Sequence, residues 1–246
     1  ARPRPGTPAR PGRGVWELSL PKLDTVLELE REGDERTPSG RLKGFSIEEM
    51  ASIVGVVLED MGLTRRFAPI IALVDHGSSS LNNPHESAHD CGACGGGRGG
   101  PNARAFAEMA NRAAVRELLR ARGIDIPDAT WFVGAYHDTC NDSITYFQQT
   151  GTPTELETGF SELRAALDEA RARDAHERCR RFETASHDWS PSEALRHVEA
   201  RAEDLGQPRP EYGHATNAVA WIGRRARSRG LFLDRRAFLI SYDPAT

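Results

Sequence analysis

The chain has 246 residues, 38% of them hydrophobic and 28% charged, with a formal net charge of -4. That length buries a real core, as one large domain or two modest ones. No window approaches the roughly 18 consecutive apolar residues of a membrane span, and the basic residues are interspersed with acids instead of gathered in one block. The sequence therefore predicts neither a bilayer-crossing chain nor a nucleic-acid partner.

The first fourteen residues, ARPRPGTPARPGRG, are basic and rich in Pro and Gly and carry no apolar run of the kind a secretory signal needs. They are expected to be a flexible linker or surface segment. Residues 15 to 44 are weakly patterned. Ser46 to Met61 predicts a helix: Ser46 and Glu49 form a capping box, Ile47, Met50, Ala51, Val54, Val57, Leu58 and Met61 share one face, and Gly62 supplies the stop. Phe67 to Val74 is a short continuous apolar run, the pattern of a buried strand.

After a Gly-rich loop, Asn102 is the expected N-cap of a helix from Ala103 to about Arg122, with Gly123 at its C-terminal end. Thr130 to Tyr136 predicts a second buried strand, ending in the polar run His137 to Asp142. A helix rich in Glu, Arg and Ala is expected from Glu155 to about Arg181, its charge mostly a solvated face. His187-Asp-Trp189 and Pro208 to Tyr212 look like irregular connections, and Ala237 to Tyr242 is a third short strand. Alternating strands and helices predict an α/β fold. Polar loops at strand C-termini gather in the crevice of such folds, which would bring His76 and His137 together.

Chemistry is concentrated between Asp75 and Gly100. This stretch holds His76, His85, His89, Cys91 and Cys94 among few core-forming residues. His76 sits where a strand gives way to a loop, and Cys91 follows fifteen residues later. Imidazole and thiolate are the usual donors to zinc, and a catalytic zinc keeps one position for water or substrate. Other readings stay open on these residues alone. Cys91 and Cys94 form a Cys-x-x-Cys, a redox pair or half of a structural zinc site. The run Gly95 to Gly100 with Arg98, ahead of a helix, could form an anion nest for phosphate, a nucleotide or bicarbonate, although no Gly-Lys-Ser or Gly-Lys-Thr follows. His85 and His89 read as loop residues. Cys140 and Cys179 read as ordinary thiols, and uneven cysteine spacing argues against a disulfide framework.

The segments HGSSSLNNPHESAHDCGACGG, PNARAFAEMANRAAVRELLRARGIDIPDATWFVGAYHDT, HDW, PRPEYG and RAFLISYDP closely resemble the DabA family, the large subunits of inorganic-carbon accumulation complexes. The likeness runs from about Phe45 to the C-terminus. It implies a fold and zinc site similar to those of β-carbonic anhydrases, in a peripheral protein on the cytoplasmic face of the cell membrane. It also implies a DabB-like membrane partner resembling the cation-translocating subunits of respiratory complex I.

In the family the zinc is held by two cysteines, a histidine and an aspartate. His76 matches the histidine and Cys91 one cysteine. The other two ligands belong to a Cys-x-Asp-x-Arg segment that has no counterpart here, since no cysteine precedes Cys91. Residues 15–246 are thus expected to be a partial zinc-binding α/β domain, shorter than the family at both ends, that binds zinc weakly and has no hydratase activity by itself. The complete protein is expected to hydrate carbon dioxide to bicarbonate in one direction. Asp75 stands where the family has glycine and is expected to alter the local turn.

Overall fold

The computed structural model describes residues 27–31, 33–78, 97–147, 153–204, 219–231, 233 and 237–241. Its first helix, α1 (Ile47–Asp60), begins as its sequence dictates. The Glu49 N–H donates to Ser46 Oγ at 3.2 Å, and the Ser46 N–H donates to Glu49 Oε2 at 2.8 Å, so two otherwise orphaned donors are satisfied reciprocally. Gly62, at φ +69°, ends the helix in the left-handed conformation that glycine adopts without steric cost. Met50, Ala51, Val54 and Leu58 are buried as the periodicity requires, while Met61, at the C-cap, is exposed.

Strands β1 (Ile70–Gly77) and β2 (Trp131–Asp138) pair in parallel, from Ile70 opposite Trp131 to Gly77 opposite Asp138. β3 (Ile144–Phe147) adds antiparallel to the other edge of β2. Both expected strands exist, but each extends further toward its C-terminus, into His76 and Gly77 and into His137 and Asp138. Ladder hydrogen bonds use only backbone groups, so pairing continues where the apolar pattern stops.

The single helix expected over Ala103 to Arg122 is in fact two. α2 (Gly100–Asn111) starts before Asn102, with Gly99 at the N-cap and Pro101 in its first turn, and α3 (Ala113–Ala121) follows. Between them Arg112 is extended, at φ -75° and ψ 128°. Tertiary hydrogen bonds compensate for the break. The Asn111 Nδ2 donates to Phe132 O at 2.8 Å and its Oδ1 accepts from the Phe132 N–H at 2.9 Å. Buried Arg116 donates to Ala110 O at 2.9 Å, Asn111 Oδ1 at 3.1 Å and Thr130 O at 2.7 Å. The Ala110 carbonyl released by the break therefore finds a donor. Gly123, at φ +89°, ends α3 as expected.

α1, α2, α3 and β2 enclose the main core, with Met50, Val54, Leu58, Phe106, Val115, Leu119 and Phe132 at its centre. The long helix α4 (Glu157–Cys179) follows a 3-10 turn at Thr154–Leu156. Its C-terminal turns pack on α5 (Pro191–Glu203), around Ala175, Cys179, Phe182, Ala194 and Val198. α5 was not expected from the sequence, although Ser190 and Glu193 form a second capping box with Pro191 at the helix start.

The third expected strand is present as β5 (Ala237–Ser241), but it pairs in parallel with β4 (Val219–Gly223) as a separate two-stranded sheet. The α/β class is thus borne out, with a two-stranded sheet separate from β1, β2 and β3. Among the described residues no helix is long and apolar enough to cross a membrane. Residues 1–14 and Pro208 to Tyr212 lie outside the described residues.

Candidate functional site

His76 and His137 face each other across the parallel pair, as Cα partners one residue before the ends of β1 and β2. Neighbouring strands lie about 4.8 Å apart, and laterally paired residues project to the same side of the sheet. The two imidazoles therefore leave one face side by side. His76 is exposed, and 32% of the His137 side chain is accessible. The nearness expected from topology is realised.

The preceding pair, Asp75 and Tyr136, projects to the opposite face, where α2 starts. The Gly99 N–H donates to His76 O at 2.9 Å. A Cβ on Gly99 would lie 2.5 Å from Asp75 Cβ and 3.1 Å from His76 O. Gly99 is therefore required by this close helix-to-strand approach. Asp75 does not bend the chain: it sits within regular ladder pairing, and its side chain fills the space beside Gly99. Burial pushes its carboxyl above the ordinary range, a shift that the neighbouring His76 partly offsets.

The loop after β2 is tightly bonded. The Thr139 N–H and Oγ1 both donate to Gly77 O, at 2.8 and 3.1 Å, which ties the loop to the end of β1. The Cys140 N–H donates to Asp138 Oδ1 at 3.0 Å and the Asp142 N–H to Asp138 O at 2.7 Å. Asp142 itself takes φ +59°, a left-handed conformation that aspartate tolerates better than most residues. Its Oδ1 lies 3.0 Å from His137 Nε2.

Arg178, from the last turns of α4, reaches this loop with a side chain only 1% exposed. Its Nη2 donates to Asp142 Oδ1 at 2.8 Å and lies 2.7 Å from Oδ2, and its Nη1 donates to Cys140 O at 3.2 Å. Asp174 stands 3.2 Å away on the same helix. The sequence reading took the charge of this helix as mostly a solvated face, and Arg178 departs from it. Spaced four residues after Asp174 in an Arg- and Glu-rich helix, it carries no sequence signal that separates it from a surface pair.

Of the two expected metal ligands, His76 is described and Cys91 lies outside the described residues, as do Cys94, His85, His89, Gly95 and Gly96. An accessible imidazole on a rigid strand end fits one zinc donor. Among the described residues no group of three His, Cys, Asp or Glu could hold a metal ion. Cys140 and Cys179 are buried free thiols. Burial pushes the Cys179 thiol up to about 11.

The model of a family described as "Probable inorganic carbon transporter subunit DabA" matches residues 4–246. Relatives carrying that description include a protein of Rhodopirellula baltica, 56% identical over 89% of this chain, and one of Sorangium cellulosum, 52% identical over 98% of it. A Methylococcus capsulatus relative is 52% identical over 94% of the chain. The matched regions are 20%, 24% and 22% of those proteins, so the chain spans about a fifth to a quarter of their length. No solved structure matches the chain. A match across nearly all of its residues, with about half of them identical in these relatives, makes this chain a member of the DabA family.

Proposed function

We propose that this chain is the part of an inorganic carbon transporter subunit that carries half of a zinc site, with His76 and Cys91 as its donors. The observation that supports this reading is the family match over residues 4–246, with relatives described as transporter subunits. The side-by-side placement of His76 and His137 at the C-terminal ends of a parallel pair adds to it, since such strand ends are where α/β folds put their ligands. The likeness to a β-carbonic-anhydrase fold is part of the same proposal.

The complete protein would hydrate carbon dioxide to bicarbonate in one direction, on the cytoplasmic face of the membrane, with a DabB-like membrane subunit as its partner. A bound zinc would supply a water whose pKa is lowered to about 7. This chain's own residues would do the rest. β1 holds the His76 imidazole at the edge of the sheet, the Gly99 N–H fixes the backbone carbonyl of His76, and His137 lines the space beside it.

Metal analysis of the full-length subunit tests the ligand assignment. Zinc is expected at one equivalent in the unmodified protein and far less in both His76→Ala and Cys91→Ser. Zinc that survives His76→Ala but is lost on Cys94→Ala would instead make the Cys-x-x-Cys a structural site. Absence of zinc, with phosphate or nucleotides protecting the Gly95 to Gly100 loop from proteolysis, would replace the reading altogether.

A further inference from the structure

The geometry points to Asp142 as a positioning residue that fixes His137 in the Nε2–H tautomer, so that its Nδ1 acts as a hydrogen-bond acceptor beside His76. The starting point is charge. Asp142 is 4% exposed at its side chain and is approached by the Arg178 guanidinium at both carboxylate oxygens. A buried carboxylate paired this closely with arginine stays ionised, because the pairing favours its charged form. An ionised carboxylate only accepts hydrogen bonds. The contact of 3.0 Å between His137 Nε2 and Asp142 Oδ1 therefore requires the hydrogen to be on Nε2. In the neutral ring, Nδ1 then carries the lone pair.

The arrangement spans three parts of the chain. His137 ends β2, Asp142 sits in the following loop in a left-handed conformation, and Arg178 comes from α4, 36 residues further on. An ordinary surface histidine needs none of this. The cost of burying Arg178 and Asp142 together is offset only by good geometry, and the product of that geometry is one oriented imidazole beside a second one on an open face.

In the proposed hydration reaction, on which the role but not the geometry of this device rests, Nδ1 accepts a hydrogen bond from the water that reacts with carbon dioxide. It thereby turns an oxygen lone pair toward the substrate. No proton leaves the water in this step.

Two measurements test the proposal separately from the zinc reading. First, long-range 15N–1H correlation spectra of the 246-residue chain, labelled at histidine and recorded at alkaline pH, report each ring's tautomer, and the His137 signal is assigned by its loss in His137→Gln. The Nε2–H pattern is expected, and an Nδ1–H pattern would overturn the proposal whether or not zinc binds. Second, glutamine places an amide donor near the position of Nε2 and nothing at Nδ1. In the full-length complex, His137→Gln should keep its zinc and its thermal midpoint and lose about 10²-fold in kcat for hydration through misorientation of the water. His137→Asn, which restores a polar group near Nδ1, should recover part of that loss. Unchanged kcat in His137→Gln, or equal losses in both variants, would reduce His137 to a structural residue and overturn the role.

Discussion

Gly99→Ala is the substitution whose effect the structure specifies most closely. The added methyl would lie 2.5 Å from Asp75 Cβ, 3.1 Å from Asp75 Cγ and 3.1 Å from His76 O. A carbon pair at that distance is repulsive, because the attractive separation is about 3.5 to 4.0 Å. The nearest atom is a Cβ fixed to a strand, so it cannot swing away as the end of a long side chain would. Relief requires α2 to retreat from β1 and stretches the bond of 2.9 Å from the Gly99 N–H to His76 O. Overpacking of this kind costs about 1 to 3 kcal/mol, and for a chain of this size each kcal/mol lowers Tm by about 2 to 4 °C.

The second half of the prediction uses Asp75. Asp75→Gly alone should cost about 0.5 to 1 kcal/mol, as glycine does within a strand, reduced by release of a half-buried carboxyl. Combined with Gly99→Ala it removes the closest obstruction. The double variant should therefore be more stable than Gly99→Ala alone, with a coupling that exceeds the cost of Asp75→Gly, about 1 to 3 kcal/mol in a double-mutant cycle. Urea unfolding followed by circular dichroism measures all four corners. Additive effects, or a Gly99→Ala protein as stable as the parent, would refute the packing argument and with it the account of why α2 begins in glycines.

Arg178→Met should destabilise the chain by about 3 to 5 kcal/mol, since it strands the buried Asp142 carboxylate without its main cation; equilibrium denaturation reads the loss, and a change under 1 kcal/mol would show that water solvates the carboxylate instead. Cys179, with its thiol pushed up to about 11, should have about one thiolate per thousand molecules at pH 8 and alkylate far more slowly in the native than in the urea-unfolded chain. The same shift has a stability consequence. Above an unfolded thiol pKa of about 8.5 the unfolded chain binds fewer protons than the native one, so this contribution to stability falls as pH rises from about 8.5 toward 11. Denaturant midpoints in the parent and in Cys179→Ala should diverge across that window, and parallel curves would contradict the burial argument.

Local signals determined a good part of this protein from sequence alone. The capping box at Ser46 and Glu49, the apolar face of α1, both strands of the parallel pair and the stop at Gly123 follow from short-range periodicity and from backbone preferences that operate in any context. The motif that carries the family resemblance is likewise a linear property, and the match over residues 4–246 bears it out. So was the nearness of His76 and His137, because parallel strands present their C-terminal ends together.

Tertiary structure alone decided the rest. The break at Arg112 depends on Phe132 and Thr130 reaching back to Asn111 and Arg116, groups that no window of helical periodicity contains. β5 could have joined either sheet by its composition, and its choice of β4 rests on long-range pairing. Arg178 illustrates the reason most directly. Helical periodicity states which residues share a face of α4, but whether that face meets water or a buried carboxylate is set by a loop 36 residues away.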